Sequence, residues 1–264
     1  MKNKKIASMA ALIAASLSAA HAQTIASWNF SAAQAAPIST LSATTGIGTL
    51  NLIGFGFSSG TPSGDVVSTP GTATPSFSEY LLRVRNASGG WSLGAPEYSQ
   101  GLELDASTVG FQNIDFSFDW YSTTQGIRDL QVQYNLNTAN SAGWTAIGGT
   151  TSANTFIATP NDYYNAATPP GNIAIDLSSI TGANNDPNFG VRLVSAYDST
   201  GHEPSYASAT LLSGVTQPYN GTSGNWRFGN LDITGAAVAV PEPTTLALAG
   251  LGGLAALVAI RRRN

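Results

Sequence analysis

Ile114-Asp115-Phe116-Ser117-Phe118-Asp119-Trp120-Tyr121 alternates apolar and polar side chains without a break. In an extended chain successive side chains point to opposite faces. Ile114, Phe116, Phe118 and Trp120 therefore share one face, and Asp115, Ser117, Asp119 and Tyr121 share the other. A helix would scatter the same residues around its circumference, so the segment predicts a strand with one face in a core and one in water. After a turn over 123–126, Leu130, Val132, Tyr134 and Leu136 alternate with Asp129, Gln131, Gln133 and Asn135 in the same way. The two segments are expected to pair as a hairpin.

The same period recurs outward from this region. Ile173, Ile175 and Leu177 repeat it, as do Phe189, Val191, Leu193 and Tyr197, with shorter candidates at 25–30, 50–55, 80–85, 102–105 and 144–147. In the last candidate, 225–234, Trp226 and Phe228 fall on one parity but Leu231 and Ile233 on the other. One extra residue near Gly229-Asn230, a β-bulge, would return all four to the core. Loops rich in Gly, Pro, Asn and Ser at 58–64, 67–75, 137–143 and 158–171 separate the runs. Strands with no helices between them predict an all-β chain, a β-sandwich of jelly-roll-like type, forming one ectodomain over residues 23–235.

The two ends read differently. Lys2, Lys4 and Lys5 precede an apolar run over 6–20, and Ala20-His21-Ala22 supplies an A-x-A pattern before Gln23. That order is a secretory signal peptide over residues 1–22, cut by signal peptidase before Gln23. At the other end, Pro241-Glu242-Pro243 is followed by the uncharged stretch 244–260 and then Arg261-Arg262-Arg263. As a helix the stretch would span ~25 Å, near the short limit for crossing a bilayer. It is expected to be a single C-terminal transmembrane helix, its three arginines held in the cytoplasm by the positive-inside rule. Both prolines disfavour helix just before the span, which leaves a short extended segment open to a protease.

Pro241, Glu242 and Pro243, the apolar stretch and the basic end together closely resemble the PEP-CTERM sorting signal of Gram-negative bacteria, here residues 236–264. The resemblance implies an exosortase-type membrane protease as partner. It also implies transient inner-membrane anchoring, then release to the cell surface or extracellular matrix, where exopolysaccharide is a candidate partner. The ending Asn225-Trp226-Arg227-Phe228-Gly229-Asn230-Leu231-Asp232-Ile233-Thr234-Gly235 resembles the closing strand of sandwich ectodomains that carry this tail, which are similar to lectin-like modules.

Charge narrows the partners of the body. All three lysines and three of the eight arginines lie in the two ends, so residues 23–240 keep five arginines against fourteen acids, a net charge of −9. Such a surface does not seek nucleic acid, which needs clustered Lys and Arg. No cysteine is present, which excludes disulfides, thiolate zinc sites and thiol chemistry.

Candidates for chemistry are sparse. Gly56-Phe57-Ser58-Ser59-Gly60 matches the nucleophile-elbow pattern, but the elbow needs a helix after its strand, and none is patterned here. His202 is the only histidine of the body. The carboxylate pairs Glu103/Asp105 and Asp115/Asp119 each share a strand face and are expected to be solvated rather than to act as a glycosidase pair. Asn184-Asn185-Asp186-Pro187-Asn188 and the segment 198–203 offer oxygens for a structural calcium but not the D-x-[DN]-x-[DN]-G pattern. No other cofactor and no defined metal site is expected. Tyr163 and Tyr164, in a loop, are the candidate sugar platform, with Trp91, Tyr98, Tyr206 and Tyr219 as further rings. The expectation is a non-enzymatic, exopolysaccharide- or biofilm-associated structural protein. A carbohydrate-binding lectin-like module and a secreted hydrolase are the alternatives.

Overall fold

The strand read at 114–121 forms and is longer, running from Phe111 to Ser122. The computed structural model describes residues 21–54, 62–68, 80–86, 90–164, 172–199, 205–211, 219–238, 250, 252–253 and 261–262. In chain order the first strands are β1 (Ala22–Trp28), β2 (Gln34–Ile38), β3 (Thr40–Ser42), β4 (Thr45–Gly46) and β5 (Gly48–Ile53). Next come β6 (Pro62–Ser68), β7 (Tyr80–Asn86), β8 (Gly101–Ala106), β9 (Phe111–Ser122) and β10 (Asp129–Asn135). The rest are β11 (Thr145–Ala146), β12 (Thr155–Ile157), β13 (Asp162–Tyr163), β14 (Asn172–Asp176), β15 (Gly190–Ala196) and β16 (Trp226–Ala237).

These form two antiparallel sheets, a β-sandwich. The nine-stranded sheet runs β13-β9-β16-β7-β6-β2, with β14 on β9, β1 on β16 and β4 on β1. The seven-stranded sheet runs β11-β10-β15-β8-β5-β3, with β12 on β10. Their inner faces meet in one apolar core to which Trp28, Leu50, Leu102, Phe116, Phe118, Trp120, Leu130, Val191 and Phe228 all belong. Within it Trp91 meets Trp226 edge-on at 4.5 Å, and Trp226 meets Trp120 at 5.4 Å. Such ring pairs add to what apolar burial alone contributes, in a chain with no disulfide.

The bulge foreseen in the last strand is present. Gly229 sits opposite Asp119 and Asp232 opposite Ser117, so three steps along β16 match two along β9. Asn230 takes φ +45° to make the step. Trp226, Phe228, Leu231 and Ile233 are then all fully buried.

The expected hairpin is not. β9 pairs with β13, β14 and β16, whereas β10 pairs with β11, β12 and β15 in the other sheet. The turn between them arches from sheet to sheet, held where Trp226 Nε1 donates to the Ile127 carbonyl at 2.7 Å. A hairpin and an arch demand the same alternation. In the first the two apolar faces lie side by side, and in the second they face each other. The wet face expected on β10 is also absent: Asp129, Gln131, Gln133 and Asn135 are buried. Segments expected as loops hold β6 and β13, and β16 runs two residues past Gly235, so the linker before the tail starts at Val238.

The chain divides into two compact units, Ala22–Val240 and Met1–His21 with Pro241–Asn264. Most of the expected span at 244–260 lies outside the described residues, of which Gly250, Gly252 and Gly253 are helical. No helix among the described residues is long and apolar enough to cross a membrane.

Candidate functional site

Alternation puts one parity of β5, β8, β15 and β10 in the core and the other on the outer face of the seven-stranded sheet. Register then aligns the outer side chains across it: Thr40 opposes Asn51, Asn51 opposes Glu103, Glu103 opposes Arg192, and Arg192 opposes Gln133. A polar belt thus crosses five strands. Two loops rise beside it, one carrying Glu97, Tyr98 and Ser99 and the other Thr138, Ser141 and Trp144, and they enclose a groove of about 480 Å³.

The belt is held from one end. Gln131 Nε2 donates to the Ala153 carbonyl at 3.0 Å, Gln133 Nε2 to Gln131 Oε1 at 2.5 Å, and Arg192 Nε to Gln133 Oε1 at 2.5 Å. The Arg192 guanidinium lies over the Trp144 ring, 4.6 Å from its centroid, a cation–π contact. Burial pulls Arg192 down to about 10, against the attraction of Glu103. Glu103 is pushed up by burial first and by Asp105 second, with Arg192 opposing. On the rim, the Tyr98 backbone N–H donates to the Ser195 carbonyl at 2.9 Å, and Glu97 Oε1 accepts from the Tyr197 N–H at 2.9 Å. Tyr98 holds φ +61°, an uncommon conformation for a bulky residue. Burial and then Glu97 raise its hydroxyl pKa.

Sequence reasoning named Tyr98 and Glu103 but did not single out Trp144 as a ring lining the groove. One signal was available after the fold: Trp28, Trp91, Trp120 and Trp226 are at most 1 % exposed, whereas the fifth tryptophan, Trp144, is only partly buried.

The expected sugar platform is corrected. Tyr163 is only 4 % exposed because β13 adds to the edge of β9 and turns its ring onto Tyr121 at 5.3 Å. Tyr164 is half-buried against Trp120 and Phe156. Trp91, Tyr206 and Tyr219 are also buried. Ser58 and His202 lie outside the described residues.

The Asp115/Asp119 pair divides. Asp115 is exposed, opposite Asp176 on β14. Asp119, expected in solvent, is 1 % exposed, and burial drives its pKa up to about 7. Its Oδ2 accepts from Asn230 Nδ2 at 2.5 Å. Asn230 is the bulge residue, so the device that corrects the core parity of β16 also delivers an amide to this carboxyl. Asn230 and, more weakly, Asn172 oppose the rise, and Asp232 adds a small push.

The oxygen-rich loop 184–188 is committed to the fold, and of the segment 198–203 only Asp198 and Ser199 are among the described residues. Asn184 Oδ1 caps the Asn113 N–H at 2.9 Å, Asn185 Oδ1 the Gly110 N–H at 2.9 Å, and Asp186 Oδ1 the Asn188 N–H at 2.8 Å. Asp198 pairs with Arg128, which also reaches Asp129 at 3.1 Å. Among the described residues no three His, Cys, Asp or Glu side chains cluster as a metal site.

Of the processing residues, Ala22 opens β1 opposite Ala236, and Gln23 pairs with Gly235. Ala20 and residues 241–243 lie outside the described residues, as does Arg263, while Arg261 and Arg262 are exposed. Residues 239–263 match the PEP-CTERM protein-sorting motif. No curated protein matches the chain.

Proposed function

We propose that this chain is an exported protein of the cell surface or extracellular matrix, associated there with exopolysaccharide and acting as a structural component rather than as an enzyme. The observation that carries this reading is the sorting motif at 239–263, which supports a sorted, exported protein with a β-sheet body. Signal peptidase cuts between Ala22 and Gln23, and the tail anchors the chain transiently in the inner membrane with Arg261, Arg262 and Arg263 inside. An exosortase-type protease then acts at the segment of Pro241, Glu242 and Pro243 and releases the sandwich. The body's charge of −9 suits an exported surface. The non-catalytic reading draws support from Glu97 and Asp198, both engaged in bonds that hold the fold.

Mass spectrometry of the surface fraction from a Gram-negative host with an active sorting protease tests this. Gln23 is expected at the N-terminus, with no peptide from 246–264. Intact tail peptides in that fraction would overturn the exosortase step and leave a plain C-terminal anchor.

A further inference from the structure

We propose that the groove between Tyr98 and Trp144 is a binding site for a neutral polysaccharide, a chain of uncharged hexopyranose units. The inference stands apart from the sorting of the protein and is tested on binding alone.

A pyranose ring presents C–H groups on its faces and hydroxyls around its rim. The groove has a counterpart to each. Trp144 keeps part of an indole in contact with water, although a large aromatic surface favours burial and the four other tryptophans achieve it. Arg192, stacked at 4.6 Å, holds the ring in place. Beneath the ring Glu103 and Arg192 stand opposite each other in register. A sugar hydroxyl both donates and accepts, and neighbouring hydroxyls can use a carboxylate acceptor and a guanidinium donor side by side. Only Nε of Arg192 is engaged by Gln133, so its terminal amines and the Glu103 carboxylate are the groups that meet a ligand.

Preorganisation strengthens the case. Gln131 and Gln133 form a relay that fixes the guanidinium before any ligand arrives. The loop carrying Tyr98 is pinned to the end of β15 at Ser195 and Tyr197. Groups already ordered need not be ordered on binding, which favours affinity. The groove volume falls within the range of roughly 300–1,000 Å³ common for small-ligand sites.

Charge selects among polysaccharides. Glu97 and Glu103 line the groove with one arginine, and Asp105 follows on the same strand face. A uronate or phosphorylated glycan would meet more negative than positive charge, whereas a neutral hexan meets none of that repulsion.

The test uses the full chain, expressed with its own leader and purified from the exported fraction. Affinity electrophoresis compares gels containing dextran, mannan or galactan with gels containing polygalacturonate. Retardation by at least one neutral hexan is expected, weaker by about tenfold or more for both Trp144→Ala and Glu103→Gln. The same hexan should change tryptophan emission in the wild type and not in Trp144→Phe. Melting curves identify variants that fail to fold. If Trp144→Ala is one of them, Glu103→Gln and the emission of Trp144→Phe decide. Retardation by none of the three hexans, stronger retardation by polygalacturonate, or undiminished binding by the folded variants would overturn the proposal.

Discussion

Asp119 gives the sharpest physical test of the fold. Its carboxyl lies on the outer face of the nine-stranded sheet, yet it is 1 % exposed, and its pKa stands at about 7 against an ordinary 3.8. Burial is the main cause, because it penalises the charged form. The folded state thus holds a proton that the unfolded chain gives up between about pH 4 and pH 7. Stability rises with pH only where the unfolded state binds more protons; here it binds fewer. The contribution of Asp119 is therefore fully present below about pH 4 and is lost as pH rises through about 7. Three pH units at 1.36 kcal/mol each set its size at about 4 kcal/mol.

Asp119→Asn isolates this term. The amide resembles the neutral acid in shape and keeps an oxygen for Asn230 Nδ2, but it does not titrate. Its new N–H groups impose a cost that is the same at every pH, so the measured quantity is the change in the difference between variant and wild type. Urea unfolding at intervals from pH 4 to 8 should show the variant gaining on the wild type by about 4 kcal/mol across the window. Other acids with raised values, such as Glu103, Asp105 and Asp129, slope the wild type in the same direction and cancel in the subtraction. A difference that changes by less than about 1 kcal/mol would refute the buried, neutral Asp119.

Two further outcomes follow from the core. Phe118 is fully buried between Phe116 at 5.2 Å and Phe228 at 6.2 Å, so Phe118→Ala should cost ~3–5 kcal/mol in urea unfolding; a negligible loss would mean that β9 does not face the core. Arg128→Met leaves Asp129, 1 % exposed, without its cation and should cost ~3–5 kcal/mol at neutral pH, with part of the loss recovered in acid, where Asp129 is protonated.

Local chemistry was legible and pairing was not. The alternation at 114–121 placed Ile114, Phe116, Phe118 and Trp120 correctly because side-chain direction depends only on the chain itself. The parity break between Phe228 and Leu231 revealed the bulge for the same reason. The partner of β9 was misread because a hairpin and an arch between sheets require one and the same pattern. Asp119 was misread because its surroundings come from other strands: β14 and β16 flank it at Asn172 and Gly229, and the bulge residue Asn230 reaches in from β16. Tyr163 was misread for a related reason. Its surroundings in sequence are polar, but two residues of strand pairing suffice to turn its ring inward.

The groove lay beyond sequence reasoning because its parts come from four places, around residues 98, 103, 144 and 192, and only the β8–β15 register puts Glu103 beside Arg192. What separates it from the other polar clusters of the sandwich is that its side chains line a groove. Arg128 is matched by Asp129 and Asp198, Asp119 by Asn230, and the loop 184–188 by backbone N–H groups. Those bonds hold the fold together, though Asp119 Oδ1 and Asp186 Oδ2 accept none of them. Around Trp144 the relay from Gln131 ends on Nε of Arg192, and Glu103 sits half-buried with a raised pKa beside it. Both are half-buried and attract each other, and both line the groove, where hydroxyl groups of a ligand would reach them. That access, beside the one tryptophan not fully buried, is the observation on which the proposed polysaccharide site rests.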